Sequence, residues 1–258
     1  MILSRRVSLG GVQLDEIHSG IVIRSVDPGV PHENTETADR FGGYGSRLAG
    51  QHWDSLEASV TFAIDVKKTD MALRREIFDA AVAWANRKGW LRTNQLPDRR
   101  LYIDKTVIPG GGDMREWTNE YTFTFRAYNV PFWETETPAA VTRSSITSGS
   151  VQIDVGGTAP GVLDLDFRNI SGKTITNFSV QAGTRQMALN GVDIASGETL
   201  RIHHGTDGIL RIVSGSRNVY GKMSGADDLY VEPGTTVNVS VAATRAGALT
   251  VTNHARWL

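Results

Sequence analysis

The chain has 258 residues, of which 40% are hydrophobic and 21% charged, and its formal net charge at pH 7 is −1. This composition is typical of a globular protein. The near-neutral charge argues against non-specific electrostatic binding of nucleic acid, which requires an excess of Lys and Arg. Because the chain contains no cysteine, disulfides and thiolate metal sites are excluded, and a reducing compartment is compatible with it.

We expect neither membrane insertion nor a secretion signal. No apolar run approaches the ~20 residues that are needed to span a bilayer. Arg5 and Arg6 interrupt the apolar N-terminus, so this segment lacks the composition of a signal peptide.

The first half of the chain predicts strands together with one helix. Residues 56–66 alternate between apolar and polar side chains, as in a strand with one buried face. Apolar residues then recur at helical spacing over about residues 70–88, which predicts one amphipathic helix that covers a sheet. Thr69 or Asp70 can cap its start, and Gly89 is placed to end it. The apolar stripe consists of Leu73, Ile77, Phe78, Ala81, Val82, Trp84 and Ala85.

Two further strands are predicted after the helix, at residues 101–107 and 120–127. The second alternates aromatic residues with threonine, a pattern that favours a pleated, half-buried surface. A glycine-rich turn at residues 109–113 lies between them. We therefore expect the two strands to form a hairpin.

Residues 27–52 form a polar segment with several glycines and prolines. It is too long for a simple connection, and long loops in compact domains are usually functional or disordered. We interpret it as an extended arm or hairpin used for contacts between subunits. Its candidate contact residues are His32, Glu33, Phe41, Tyr44 and Arg47.

The composition changes over residues 136–150, which are rich in Thr, Ser and Ala and poor in large apolar side chains. We interpret them as a linker between an N-terminal domain, residues 1–135, and a C-terminal domain, residues 151–258. The C-terminal domain shows short alternating strands separated by glycines and no helical pattern, which predicts an all-β sandwich. The fold class is therefore mainly β, with an α+β first domain whose barrel-like sheet carries one helix and the arm.

Two patterns resemble ligand motifs, and each lacks a required part. Residues 171–174 contain the GKT of a phosphate-binding loop, but Phe167 stands where that loop needs glycine. A strand pattern also follows where the loop needs a helix, so a turn between two strands is the better interpretation. His32 and Glu33 open like a zinc-binding HExxH motif, but Glu36 replaces the second histidine.

The adjacent residues His203 and His204 are the most reactive-looking pair in the chain. Neighbouring side chains on a strand point to opposite faces, so these two cannot share one metal ion. We predict a β-hairpin with one histidine half-buried and the other in solvent. Asp164 and Asp166 share one strand face and could act as paired carboxylates, but a solvent-facing strand is the commoner explanation of such a pattern.

The first half ends in an aromatic strand and the motif Pro131-Phe132-Trp133. Turn and strand motifs follow in the second half at Ile170-Ser171-Gly172, Leu189-Asn190-Gly191, residues 229–234 and the terminal Arg256-Trp257. In this order the sequence resembles the distal tail proteins of long, non-contractile-tailed phages, whose first domain commonly closes with such a proline-aromatic motif. The resemblance marks Tyr128, Phe132 and Trp133 as candidate aromatic residues of the domain junction.

The resemblance implies a structural virion protein of the phage tail tip, made in the host cytoplasm. Such proteins form a six-fold ring at the distal end of the tail tube. Their N-terminal domains build the ring, an arm helps to join neighbours, and galectin-like or carbohydrate-module-like sandwiches project outward. The implied partners are further copies of the chain in a homo-hexamer, the tail tube protein, the tape measure protein and the tail-tip hub proteins. DNA passes through the lumen without specific binding, which suits the near-neutral charge.

A carbohydrate-binding, lectin-like protein that acts in host-surface recognition is the alternative function, because aromatic faces bind sugar rings. We do not expect an enzyme, since the sequence offers no coherent catalytic set. We likewise assign no cofactor-binding or metal-binding residues.

Overall fold

The computed structural model divides the chain into two units, Met1–Trp133 and Glu134–Leu258. Strands dominate both units, which confirms the predicted mainly β fold. In the part of the chain that the structure describes, no helix is long and apolar enough to cross a membrane. The described residues are 5–39, 46–67, 69–109 and 120–258.

In its described residues, the first unit combines one helix with short antiparallel sheets. Its elements are β1 (Val7–Leu9), β2 (Val12–Gln13), β3 (Ile21–Asp27), β4 (Glu33–Asp39), β5 (Ser46–Trp53), β6 (Leu56–Ile64), α1 (Met71–Ala85), β7 (Gly89–Thr93), β8 (Leu96–Ile103), β9 (Lys105–Val107) and β10 (Glu120–Ala127). One run of paired strands has the order β8–β7–β1–β2, and a four-stranded sheet has the order β3–β6–β10–β9. Strands β4 and β5 form a separate two-stranded sheet.

The core of the first unit lies between α1 and the four-stranded sheet. The predicted alternation places Phe62 of β6 on the buried face, and β10 adds Phe123 and Phe125. Phe78 of α1 packs on this layer, with its ring centroid 6.3 Å from that of Phe123. Full burial of a large apolar side chain contributes about 1.5–3 kcal/mol, so this layer holds the helix on the sheet.

The helix α1 begins where the sequence predicts and ends earlier. The Asp70 carboxylate caps its start by accepting a hydrogen bond from the backbone N–H of Leu73 at 3.2 Å. The helix ends at Ala85, and the backbone N–H of Asn86 still bonds back into the last turn. Gly89, which we predicted to end the helix, instead begins β7.

The strand predicted over residues 101–107 is interrupted at Asp104. The residues before the break belong to β8, which pairs with β7. Those after it form β9, which pairs with β10. The predicted hairpin is therefore correct for β9 with β10 and wrong for residues 101–103.

The predicted arm contains a β-hairpin. Strands β4 and β5 are antiparallel, with Glu33 opposite Trp53 and Asn34 opposite His52. At the base of this hairpin the Asp54 backbone N–H donates to the His32 carbonyl at 2.7 Å. The hairpin belongs to neither of the larger strand groups of the first unit.

The second unit is built from antiparallel strands. These are β11 (Trp133–Thr135, at the unit boundary), β12 (Ala139–Val155), β13 (Ala159–Asn169), β14 (Ile175–Ala182), β15 (Arg185–Ile194), β16 (Thr199–His204), β17 (Leu210–Ser214), β18 (Arg217–Asn218), β19 (Met223–Gly225), β20 (Tyr230–Val231) and β21 (Thr235–Trp257). One run has the order β18–β17–β16–β13–β21, and β20 pairs with β13. Strand β14 pairs with both β21 and β15, and β15 pairs with β19.

The long strand β21 belongs to both layers of the second unit. Its residues 239–243 pair with β14, whereas residues 247–256 pair with β13. Phe167 of β13 and Phe178 of β14 meet in the common core, with ring centroids 4.8 Å apart. This is the arrangement of a sandwich, as predicted.

Strand β21 passes from one layer of the sandwich to the other beside Gly247. The register of β21 against β12 shifts here, between Ile146 and Ser148. A Cβ atom at Gly247 would lie 2.2 Å from the ring of Phe167. Glycine is therefore required for the aromatic ring to pack directly on the bent backbone.

The linker predicted over residues 136–150 is wrong for residues 139–150, which belong to β12. Strand β12 pairs with β21 from Ala139, opposite Asn253, to Val155, opposite Thr235. Most side chains over residues 139–150 are exposed on both faces. The strand therefore lacks the alternation that would have revealed it in the sequence.

Candidate assembly residues and the histidine cluster

The candidate contact residues of the arm lie on or beside the β4–β5 hairpin. His32 precedes β4 and Glu33 begins it, and both are exposed. Phe41 and Tyr44 lie outside the described residues. Arg47 lies in β5, and its side chain is outside the described part of the chain. The two described side chains are thus accessible to another molecule.

The candidate junction aromatics occupy two kinds of environment. Trp133 and Phe132 are buried, with exposed fractions of 2% and 8%, whereas Tyr128 is exposed. The Trp133 Nε1–H donates to the carbonyl of Pro28 at 3.1 Å. Phe132 contacts Trp53 edge-to-face, with centroids 5.7 Å apart. Because Pro28 precedes the hairpin and Trp53 is its last residue, the end of the first unit supports the base of the arm.

The exposed ring of Tyr128 belongs to a turn that Asp104 organises. The Asp104 carboxylate accepts hydrogen bonds from the backbone N–H groups of Tyr128, at 2.7 Å, and Asn129, at 3.0 Å. It also accepts one from the Asn129 side chain at 2.8 Å. Asp104 was missed by sequence reasoning, because a lone aspartate inside an apparent strand has no motif that marks it.

The histidine pair lies at the end of a hairpin, as predicted. Strands β16 and β17 pair with His204 opposite Leu210, and a turn follows in which the Gly208 N–H donates to the Gly205 carbonyl at 2.9 Å. The side chain of His204 is only 5% exposed. His203 is half-buried, so the prediction that one of the two histidines lies in solvent is wrong.

The burial of His204 is explained by a carboxylate between two imidazoles. Asp164 Oδ1 lies 3.3 Å from His204 Nδ1 and accepts the His204 backbone N–H at 3.0 Å. Asp164 Oδ2 lies 3.0 Å from His254 Nε2. The Asp164 side chain is 22% exposed, whereas Asp166 on the same strand is exposed. The interpretation of both aspartates as solvent-facing is therefore wrong for Asp164.

The contacts of Asp164 keep its carboxyl group ionised. Burial on its own raises the pKa of this carboxyl, but the hydrogen bonds from His204 and His254 outweigh it, and the pKa lies well below its usual range. An ionised carboxylate only accepts hydrogen bonds, so both contacts are hydrogen bonds in the tautomers that carry a proton on His204 Nδ1 and on His254 Nε2. His204 Nε2 is buried without a hydrogen-bond partner in the described chain.

This cluster acts as a clamp, because it joins β13, β16 and β21 through one carboxylate. Hydrogen bonds to a charged group stabilise a fold by about 1.5–3 kcal/mol each. In the described residues, no group of three or more His, Asp or Glu side chains is arranged to hold a metal ion. Sequence reasoning did not associate His254 with His204, because no local pattern connects residues so far apart.

An exposed aromatic ring lies beside the clamp. Tyr230 is 37% exposed, and its ring centroid is 6.1 Å from that of His204. The Arg185 guanidinium lies 5.6 Å from the same ring and pairs with Asp228 at 2.5 Å. Burial raises the pKa of Asp228, while the Arg185 charge opposes this rise. The surface therefore combines an aromatic face with a fixed ion pair.

The GKT segment forms a turn, as interpreted from the sequence. Asn169, at the end of β13, donates from Nδ2 to the carbonyls of Lys173, at 2.7 Å, and Ile194, at 2.8 Å. Its Oδ1 accepts the backbone N–H of Ser171 at 2.9 Å. A buried amide thus holds the connection between β13 and β14.

No family model matches the sequence, and no curated protein matches it either. Solved structures do share the fold. The Dit protein of phage SPP1, described as a paradigm of the hub adsorption apparatus in phages that infect Gram-positive bacteria, superposes with a TM-score of 0.65 at 14% identity. The match covers 98% of this chain and 99% of that protein.

A chain of the phage P2 baseplate, in its activated conformation with calcium, gives a TM-score of 0.44 at 7% identity and covers 96% of this chain and 97% of that one. The fold assignment rests on the SPP1 protein. The predicted resemblance to phage distal tail proteins is thereby confirmed at the level of the fold, and it extends through both units of this chain.

Proposed function

We propose that the chain is a structural protein of a phage tail tip that assembles into a hexameric ring. The observation that carries this proposal is the likeness to SPP1 Dit over nearly the full length of both chains. A lectin-like role would require only the second unit, whereas the likeness also includes the helix-bearing first unit with its β4–β5 hairpin. Fold likeness to a hub protein supports a building block rather than an enzyme.

In this role the ring joins the tail tube to the tail-tip proteins that recognise the host. The partners are other copies of the chain, the tail tube protein, the tape measure protein and the tail-tip hub proteins. DNA passes through the lumen without specific binding, and the chain's net charge of −1 is compatible with such passage. The protein is made in the host cytoplasm and resides in the virion.

The state of assembly tests this proposal. Size-exclusion chromatography with light scattering, over a series of concentrations, is expected to show a closed assembly of six 28.1 kDa chains. A monomer at every concentration, including in the presence of the tail tube protein, would contradict the proposal.

Carbohydrate binding is a second candidate function, and the surface around Tyr230 favours it. Sugar sites commonly combine an aromatic face with charged hydrogen-bonding groups, and Tyr230 lies beside the Arg185–Asp228 ion pair. A glycan array followed by NMR titration is expected to give shifts at Tyr230 that Tyr230→Ala removes. Silence across the array would exclude this candidate.

A further inference from the structure

The strands β8–β7–β1–β2 bury one face and carry an aromatic pair on the other. Leu9, Leu91 and Leu101 are buried, so the side chains that alternate with them lie on the opposite face, which we call the outer face. Trp90 and Tyr102 are opposite each other there, with ring centroids 5.3 Å apart. Both rings are half-buried, so each keeps part of its surface accessible.

Positive charge is concentrated on the same strands. Residues 87–103 contain five basic residues and one acidic residue, which gives a formal charge of +4 in a chain whose total is −1. The basic residues are Arg87, Lys88, Arg92, Arg99 and Arg100, and the acidic residue is Asp98. Arg5 and Arg6 directly precede β1. The near-neutral total charge therefore hides a local excess of cations in the first unit.

A recess of about 110 Å³ lies on this sheet beside the aromatic pair. Arg6 and Arg92 line it with their guanidinium-bearing residues, and Ser8 and Gln13 add a hydroxyl and an amide. The remaining lining residues are Val7, Thr93 and Asn94. No carboxylate lines the recess in the described residues, so its composition favours an anionic ligand.

The groups around the recess are held in place by the chain itself. Asn94 Oδ1 accepts the Arg6 backbone N–H at 3.0 Å, and the Asn94 backbone N–H donates to the Arg6 carbonyl at 3.2 Å. Ser8 is opposite Arg92 in the β1–β7 pairing. The Gln13 amide oxygen is buried without a hydrogen-bond partner in the described chain, and a half-turn of this amide replaces the acceptor by an N–H donor.

The aromatic pair adjoins the recess along β7. Trp90 and Arg92 are two residues apart on one strand, so their side chains share the outer face. The Arg100 guanidinium lies 4.0 Å from the Trp90 ring centroid, and this stacking fixes a further planar cation at the same place. Cationic groups and flat rings therefore occur side by side.

We propose that the outer face binds nucleic acid through its phosphate backbone. Arg6 and Arg92 hold a phosphate group in the recess, because guanidinium groups form paired hydrogen bonds with phosphate oxygens. Trp90 and Tyr102 offer ring surface on which a base can stack. An acidic polypeptide supplies anions as well, but its carboxylate side chains have no ring for such stacking, so nucleic acid fits the surface better.

The site goes beyond the proposed function and does not depend on it. Contacts to phosphates carry no information on base sequence, so the binding is expected to be non-specific. Each chain contains the whole site. A chain that forms no rings would contradict the proposed function and leave this test unaffected.

Fluorescence anisotropy with a short, labelled, single-stranded DNA of mixed sequence tests the site. The wild type is expected to bind at low salt and to lose affinity as salt rises from about 50 to about 200 mM. Arg6→Gln with Arg92→Gln removes two phosphate contacts. This variant is expected to bind at least roughly fivefold more weakly at low salt, and the slope of log K against log salt should fall by about 1.4.

The matched control removes equal charge outside the recess. Arg5→Gln with Arg87→Gln alters two exposed arginines of the same unit, and it is expected to change affinity and slope much less. Circular dichroism checks the fold of every variant. If the recess variant does not fold, Arg6→Gln alone replaces it, because this side chain is exposed, and half of the change in slope is expected.

Two further measurements distinguish nucleic acid from an acidic polypeptide. Trp90→Leu is expected to weaken binding of the single strand at least roughly fivefold, because a stacking surface is lost, while the salt slope stays the same. Poly-glutamate of equal charge is expected to displace the labelled DNA much less efficiently than unlabelled DNA does.

Three results would overturn the proposal. Absence of binding by the wild type at low salt would show that the face is not a nucleic-acid site. Equal losses in the recess variant and its control would show that any binding is diffuse and does not use the recess. Equal displacement by poly-glutamate, or an unchanged affinity in Trp90→Leu, would assign the surface to acidic polypeptides.

Discussion

The carboxylate of Asp164 lies 3.0 Å from Nε2 of His254, and its other oxygen accepts the His204 backbone N–H at the same distance. One partly buried charge thus connects three strands of the second unit. Such a charge stabilises the fold only while its hydrogen bonds persist, because a buried and unpaired carboxylate is strongly unfavourable.

Asp164→Asn is expected to lower the free energy of unfolding by about 1–3 kcal/mol, since it removes the charged acceptor between the two imidazoles. Urea denaturation of the full chain measures the change, and hydrogen exchange locates it in β13 and β16. Asp166→Asn is the matched control on the same strand, because its ion pair with Arg201 is 3.8 Å long and exposed and should contribute little. Equal effects of the two substitutions would contradict the clamp.

The contribution of Asp164 should also depend on pH. Its pKa in the folded chain lies below the usual range, whereas the unfolded value is about 3.9. The unfolded chain therefore binds the proton more readily, so the stabilisation is fully present above about pH 4 and is lost as the pH falls further. The stability difference between the wild type and Asp164→Asn should shrink between about pH 4 and about pH 2. A difference that stays constant over this range would show that folding does not lower the pKa of this carboxyl.

Gly247→Ala tests the change of layer in β21. The added methyl group would overlap the Phe167 ring, so we expect a loss of about 1–3 kcal/mol in the free energy of unfolding from overpacking. Gly221→Ala is the control, because a Cβ atom at that position has no neighbour within 4 Å. Thermal unfolding of both variants is the measurement, and an unchanged melting temperature for Gly247→Ala would contradict the packing.

Asp104→Ala should loosen the turn that follows β10. Two backbone N–H groups lose their acceptor, and we expect a cost of about 1 kcal/mol, because water replaces part of the lost bonding. Faster amide exchange at Tyr128 and Asn129 is the specific readout. Asp98→Ala serves as the control, because Asp98 is exposed and its ion pair with Arg99 is long, at 3.9 Å. An equal rise in amide exchange at Tyr128 and Asn129 in this control would contradict the role given to Asp104.

The elements predicted correctly are those whose formation depends mainly on residues close together in the sequence. The apolar stripe and the Asp70 cap located α1, and the alternation around Phe62 located its sheet. The end of α1 was misplaced because Gly89 was taken as the residue that ends the helix. Gly89 instead begins β7, where its backbone lies close to Gly10 in the turn after β1. A glycine in the sequence does not by itself show whether it ends a helix or begins a strand at a close backbone contact.

Elements defined by distant partners were missed. Residues 139–150 contain few large apolar side chains, and they form a strand because β21 pairs with them across the length of the unit. Asp164 has the alternation of a surface residue, and only the fold brings His204 and His254 to it. The packing of Phe132 on Trp53 and of Trp133 on Pro28 has no local signature and was not predicted. The family resemblance marked Phe132 and Trp133 only as candidate residues of the domain junction, and that role stays a prediction.

Electron microscopy of the purified chain is the direct test of ring formation. Closed rings with six-fold symmetry and a central opening are expected in the class averages. Single particles of one chain, or open filaments without closed rings, would contradict it.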